Sequence, residues 1–292
     1  MDIKKLTKTH RLYHSLYHRT STRYNQSNRQ FLMELEARWK KPQPHYTPRG
    51  FPDKISLKII AFLRWSTDYY FKEDLVRRAV MLETVAAVPG IVAGMNLHLR
   101  SLRRLEPVQW IKIVMDEAEN ERMHLMALLE MYHPNWHQRL IIMLTQGVWF
   151  ACYWTLYTIS PRMGHRFTGY LEEEAVKTYT HFLELIDAGK IKNIPATRIA
   201  KEYWGLPDDA TLRDAILAIR SDETDHRLVN HFLSDICGNI DSDYFKDLSI
   251  HNEGHDKMIE ELKIYRKGLK ALQSGNPIEN PPKEPKDEET AH

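Results

Sequence analysis

Cysteine is nearly missing: Cys152 and Cys237 are the only two among 292 residues. Two thiols build neither a disulfide framework nor a thiolate metal site, so stapled scaffolds and zinc ribbons drop out. An excess of either charge is also lacking. Lys and Arg number 41 against 39 Asp and Glu, a net charge of +2, which gives no reason to expect a nucleic-acid partner. Glycine is sparse at 12 residues, β-branched runs are few, and no strand alternation or tight hairpin signal occurs. An all-α fold is expected.

The ends differ from the middle. Residues 1–33 hold seven Lys or Arg, seven Ser or Thr and one acid, Asp2. The charge of that stretch suits a mitochondrial presequence, while its poverty in Ala and its missing amphipathic Arg face do not. Four prolines in 40–52 read as an extended linker, so residues 1–50 are expected to be a polar basic arm and linker. Residues 51–240 are expected to form the helical domain, with helices near 53–72, 74–104, 107–132, 136–159, 164–188 and 210–238. Thr211 followed by Asp214 looks like the cap of the last. In 241–292 an amphipathic helix is expected at 255–273, through Ile259, Leu262, Leu269 and Leu272. A Pro-rich, charged, coreless tail follows it.

Within the helical domain, the segment "NERMHLM" places Glu121 and His124 three residues apart, on one side of a helix that also carries Leu125 and Leu128. A surface Glu beside a His explains one such pair. A second occurs in "RSDETDHRLVNH", where Glu223 and His226 repeat the spacing on another helix. A ferritin-like four-helix bundle with a di-metal carboxylate site uses this pair twice, plus one Glu from each of two further helices. Glu83 stands alone in the apolar run "MLETVAAVPG", and "LEEEAVKTY" offers Glu172, Glu173 and Glu174. Glu172 shares a face with Ala175, Val176 and Tyr179 and is the inward candidate; Glu173 reads as a solvated charge. Four carboxylates balance two divalent ions, and two imidazoles complete the shells without adding charge. That donor set suits iron or manganese.

The run from 140 to 161 contains no charged residue and approaches the length of a bilayer span. It also holds Gln146, Trp149, Phe150, Tyr153, Trp154 and Tyr157, and aromatic residues favour the membrane interface. Residues 53–72 mix Ile59, Ile60, Phe62, Trp65 and Tyr69 with Lys54, Lys58, Arg64 and Lys72. These two helices are expected to lie in one leaflet, a monotopic attachment to membrane lipid. Packing inside the protein or at a dimer interface is the competing account, and no second clean span is evident.

Together "LETVAAVPG", "NERMHL", "LEEEAVKTY" and "RSDETDHRLVNH" closely resemble the four ligand helices of the alternative oxidases, the cyanide-resistant ubiquinol oxidases of respiratory chains. The likeness runs from about Trp65 to Asp235 and includes "SLRR", "EPVQWIK", "ISPRMGHRFTGY" and "EYWGLP". It implies a non-haem di-iron enzyme, with two iron ions per monomer, on the mitochondrial inner or bacterial cytoplasmic membrane and usually homodimeric. Such an enzyme oxidises two ubiquinols and reduces O2 to two waters without pumping protons. The resemblance puts the metal on Glu83, Glu121, His124, Glu172, Glu223 and His226, and a redox-active tyrosine at Tyr179. It puts quinol against Arg78, Leu82, Ala175 and Thr178. It also implies that Asn120, Asp222, His165, Tyr203 and Trp204 orient the ligands and steer protons.

Many plant members carry a regulatory cysteine ahead of the first membrane helix. Here no cysteine precedes Cys152, so thiol-dependent activation by 2-oxo acids is not expected. Plastid relatives have an insertion between the third and fourth ligand helices; the 51-residue steps from Glu121 to Glu172 and on to Glu223 favour the respiratory type. Rival readings are a membrane-associated di-iron monooxygenase that hydroxylates a quinone precursor, a ribonucleotide reductase small subunit, and a ferritin-like iron-binding protein. The apolar aromatic segments fit the reductase poorly.

Overall fold

The computed structural model describes residues 28–40, 45–72, 74–105 and 110–238, all within one compact unit. The arm before residue 28, the helix expected at 255–273 and the tail lie outside the described residues. Nine helices occur among the described residues: α1 Asn28–Trp39, α2 Phe51–Phe71, α3 Leu75–Ala86, α4 Val88–Arg104, α5 Ile111–Leu128, α6 Trp136–Ile159, α7 Pro161–Asp187, α8 Arg198–Trp204 and α9 Leu212–Cys237. They are joined by one isolated bridge, Pro195 to Thr211, and no strand. The all-α expectation holds.

Local chemistry sets the boundaries. Asn135 and Gln138 close a capping box at the start of α6, and Ser160 with Pro161 starts α7 one residue later. Asp214 accepts from the backbone N–H of Thr211 at 2.7 Å, as expected for the head of α9. The single helix expected over 74–104 is two: the ladder lapses at Ala87, because Pro89 in the first turn of α4 has no N–H to donate. Two helices were not expected. α8 is short, and α1 falls in the stretch read as a polar arm. Phe31 and Leu35 of α1 nevertheless enter the core, and Arg38 binds Ser221 and Asp225 of α9.

α3, α5, α7 and α9 form a four-helix bundle. α7 and α9 run antiparallel, pairing Asp187 with Arg213 at one end and Arg166 with Asp235 at the other. Between these ends Phe182 and Leu183 meet Ile216, Leu217 and Ile219, with Val80 of α3, Leu128 of α5 and Trp204 of α8 closing the core. Gly90 lets α4 lie against α5 closely, since a Cβ there would sit 2.5 Å from the Val114 carbonyl oxygen. α6 packs outside the bundle. Only Gln138, Tyr153 and Tyr157 of α6 are buried, whereas Met143, Leu144 and Val148 are exposed.

Among the described residues, two helical stretches are long and apolar enough to cross a membrane, Leu75–Arg104 and Trp136–Ile159. The sequence reading recognised only the second. The first is broken at Ala87 and 56% of its most apolar window is buried in the protein, against 11% for the second. α6 is therefore the helix whose apolar surface the bundle leaves uncovered. α2 adds an exposed aromatic row, Phe62, Trp65 and Tyr69, with adjacent rings 5.8 and 6.2 Å apart.

A buried polar network holds residues 45–53 against α7 and α9. The Arg166 guanidinium lies 3.5 Å over the Tyr46 ring and also binds His231 and Asp235. Tyr46 stacks on His231, and its hydroxyl donates to Asp235 at 2.7 Å. Burial depresses the His231 imidazole to about 4, with Arg166 adding to the effect, and burial depresses His165 to about 4 as well. Both rings are then neutral when folded but protonate near 6.5 when unfolded. Between pH 6.5 and 4 the unfolded chain binds the extra protons, so stability falls as pH drops through that window. Each ring accounts for roughly 3 kcal/mol by pH 4. Thermal unfolding followed by circular dichroism should show the midpoint falling over this range, and falling less steeply with pH in His231→Gln.

Candidate metal centre

The bundle interior holds a concentration of carboxylates. α3 supplies Glu83, α5 supplies Glu121 and His124, α7 supplies Glu172, and α9 supplies Glu223 and His226; all six are buried. Two overlapping groups result, Glu83, Glu121, His124 and Glu223, and Glu121, Glu172, Glu223 and His226. Within each group one donor atom per residue lies within 4.8 Å of the others. His124 Nδ1 is 3.4 Å from Glu121, 3.2 Å from Glu223 and 3.9 Å from Glu83. His226 Nδ1 is 2.7 Å from Glu121 and 3.8 Å from Glu223. Glu121 and Glu223 belong to both groups.

These contacts are close in distance without the alignment of hydrogen bonds. Glu83 Oε2, both Glu121 oxygens, Glu223 Oε2 and the Nδ1 atoms of His124 and His226 are buried without a hydrogen-bond partner. Buried polar atoms are seldom left so, and here they converge on one point. Burial, and next the Glu121 charge, push the Glu83 carboxyl well above the usual range; burial and then Glu223 do the same to Glu172. Glu121 goes the other way, held low by His124 and His226 against its own burial. Against burial, Glu121 draws both imidazoles well above their ordinary value. Divalent cations would supply the positive charge that this cluster of carboxylates lacks. An oxygen and imidazole donor set that is orphaned, buried and short of cations fits iron or manganese.

The surroundings sort the other expected residues. Tyr179 donates its hydroxyl to Glu83 Oε1. Asp222 gathers three donors: Trp204 Nε1 at 2.8 Å, Asn120 Nδ2 at 3.1 Å and His124 Nε2 at 3.4 Å. Asn120 also donates to the Tyr203 hydroxyl at 2.8 Å, and the Trp204 ring stacks on His124. α8 is thus the element that delivers Tyr203 and Trp204. His165 stands one step further out. Its Nδ1 meets the Asn230 amide oxygen at 3.0 Å and its Nε2 meets the Tyr157 hydroxyl at 2.9 Å.

The residues expected to hold quinol sit on α3 (Arg78, Leu82) and α7 (Ala175, Thr178), both tied to α2 by ion pairs, Arg78 to Asp68 and Glu174 to Arg64. Arg78 also donates to Thr67 at 3.2 Å, and Thr178 donates back to the Glu174 carbonyl at 2.9 Å.

Glu173 corrects the sequence reading. It is buried rather than solvated, because Tyr46 N–H at 2.8 Å, His231 at 3.0 Å and His45 all reach its carboxylate. Glu117 was missed. It is buried, accepts from Asn230 at 2.7 Å, and burial lifts its carboxyl to about 7 with the nearby His226 opposing. The signal for it was its position one turn before Glu121.

A model of the family described as alternative oxidase matches residues 34–235. "Alternative oxidase 3, mitochondrial" of Glycine max is 53% identical over 193 residues, 66% of this chain and 59% of that protein. "Ubiquinol oxidase, mitochondrial" of Mangifera indica is 54% identical over 193 residues, 66% of this chain and 61% of that protein. "Ubiquinol oxidase 2, mitochondrial" of Arabidopsis thaliana is 53% identical, and the match covers 55% of it. The chain thus spans less than two thirds of the length of each of these relatives.

Metal analysis separates the inner and outer residues of this cluster. Glu121→Ala removes a carboxylate common to both groups and should leave the purified chain with little bound iron. Asp222→Asn keeps all six donors and should weaken iron affinity by about 10–100-fold, read by competition with a chelator.

Proposed function

The chain belongs to the alternative oxidase family, and on that premise we propose that it is a ubiquinol oxidase, passing electrons from two quinols to O2 and releasing two waters without pumping protons. The observation that carries this reading is the buried cluster of four carboxylates and two imidazoles with Tyr179 hydrogen-bonded to its edge. Glu83, Glu121, His124, Glu172, Glu223 and His226 would hold two iron ions. Bound there, the iron supplies the one-electron steps that connect a two-electron donor to O2.

The chain's own groups do the rest. Asp222 fixes the His124 ring through Nε2 and is itself fixed by Trp204 and Asn120, so the ligand is oriented before any substrate arrives. Glu83 Oε1 accepts the Tyr179 hydrogen bond, so that oxygen is placed to take the phenolic proton. Quinol lies where α2, α3 and α7 meet, against Arg78, Leu82, Ala175 and Thr178. The Arg78 guanidinium, held by Asp68 and Thr67, presents a fixed positive group to a quinol oxygen.

α2 and α6 seat the protein in one leaflet, with Trp65, Tyr69, Met143, Leu144 and Val148 meeting lipid. The relatives' names place them in mitochondria, and the inner membrane, which carries ubiquinol, is the location that suits this chemistry. A homodimer is the family's usual state, and Ile91, Leu99 and Met115 of α4 and α5 are exposed to receive a second copy.

The deciding measurement is O2 consumption by membranes carrying the protein, fed a short-chain ubiquinol in the presence of cyanide. Uptake of one O2 per two quinols, blocked by a hydroxamate and lost in Glu223→Ala, is expected. Bound iron with no uptake, or with an oxygenated organic product, would sink the oxidase reading in favour of a monooxygenase. Independently, Leu144→Asp with Val148→Asp should reduce binding to vesicles by about tenfold or more, since a charge in hydrocarbon costs ~2.5 kcal/mol or more.

A further inference from the structure

Gln146 is the one amide between residues 140 and 161; it is exposed on α6, on the side of Met143 and turned away from Leu144 and Val148. An amide facing lipid has no water to bond and is costly there unless protein satisfies it. Its Nε2 donates to the backbone carbonyl of Thr84 at 2.7 Å. Thr84 is the residue after Glu83.

The Thr84 carbonyl lies in the last turn of α3, beside its break from α4. α3 ends at Ala86, and Pro89 has no N–H for the carbonyl of Val85 four residues back, so the ladder is interrupted in the turn that carries the Thr84 carbonyl. The Thr84 hydroxyl turns back onto the Met81 carbonyl at 2.6 Å. A second tie lies farther along both helices: Thr158 Oγ1 donates to Asn96 Oδ1 at 3.2 Å, and Asn96 donates to the Val92 carbonyl at 3.0 Å. α6 therefore runs parallel to α3 and α4 and is fastened to them at two levels. Only the Gln146 level coincides with Glu83, whose carboxylate meets Tyr179 through one oxygen and the cluster through the other.

We propose that Gln146 is a positioning residue for the metal centre, reaching from the lipid-facing helix to tie the broken end of α3 and so fix how Glu83 is presented. This rests on the reading above only in taking Glu83 as a metal ligand. Through the same bond, a shift of α6 within the membrane is felt at Glu83.

The test uses the full chain, iron-loaded and in membranes, as wild type, Gln146→Leu and Thr158→Val. Leu keeps the side chain's bulk, removes the donor and favours lipid, so membrane association should be retained. Turnover, KM for ubiquinol, iron per chain and the Mössbauer spectrum are compared. Gln146→Leu is expected to bind iron but show an altered spectrum and a turnover about tenfold or more lower, with KM little changed. Thr158→Val, which cuts only the remote tie, should match wild type in both. A wild-type spectrum and turnover in Gln146→Leu would overturn the proposal, as would equal changes in both variants. If Gln146→Leu and Gln146→Met both lose their helical circular dichroism, Gln146 serves the fold and the proposal falls. Wild type that binds no iron would instead remove the metal reading itself, and this proposal with it.

Discussion

Four carboxylates packed inside one bundle are the constraint on which the rest of the structure depends. Like charges about 4 Å apart repel by ~4 kcal/mol at an effective dielectric constant of ~20, so such a group cannot stay ionised in an apolar core unaided. The fold answers with opposite charge brought from the helices themselves. His124 and His226 lie one turn after Glu121 and Glu223 and draw Glu121 down, while Glu83 and Glu172 are pushed toward their neutral forms. Around this centre the hydrophobic packing of Phe182, Leu183, Ile216 and Leu217 holds the backbone firmly enough for the repulsion to be tolerated. The stability lost at the site is offset by the layers on either side of it.

The parts of this arrangement that depend on local pattern were readable before any coordinates. A repeated Glu-x-x-His, an isolated Glu in an apolar helix and the face that Glu172 shares with Ala175, Val176 and Tyr179 put all six cluster residues in view. The parts that depend on contacts between distant segments were not. Glu173 has the composition of a surface acid, and its burial follows from Tyr46 and His231, which lie far from it in the chain. α1 is too polar to announce a core face, yet Phe31 and Leu35 find one once α9 is in place. The break at Ala87 was foreshadowed by Pro89, but an apolar run on both sides of it masked the signal. Trp204 could be named from resemblance, whereas its bond to Asp222 requires the short helix that carries it.

α6 has two faces with different duties. Inward it sends Tyr153 and Tyr157, whose hydroxyls meet Thr168 and His165 of α7. Outward it shows methionine, leucine and valine. The bundle is complete without it, since α3, α5, α7 and α9 already enclose the cluster. Its apolar outer surface has no counterpart in the described residues, and that uncovered face is the observation behind the proposed lipid contact.

The order of the helices along the chain carries a consequence for how such a protein is made. Glu223, His226 and Asp222 all arrive on α9, the last helix of the bundle to leave the ribosome. Until then Glu83, Glu121 and Glu172 belong to a nascent chain whose core is missing Ile216, Leu217 and Ile219, so they remain hydrated. The cluster is therefore assembled in one late event, when α9 lies down along α7. A chain that stops short of α9 carries Glu83, Glu121, His124 and Glu172 alone, so neither four-residue group of the cluster is complete before α9 arrives.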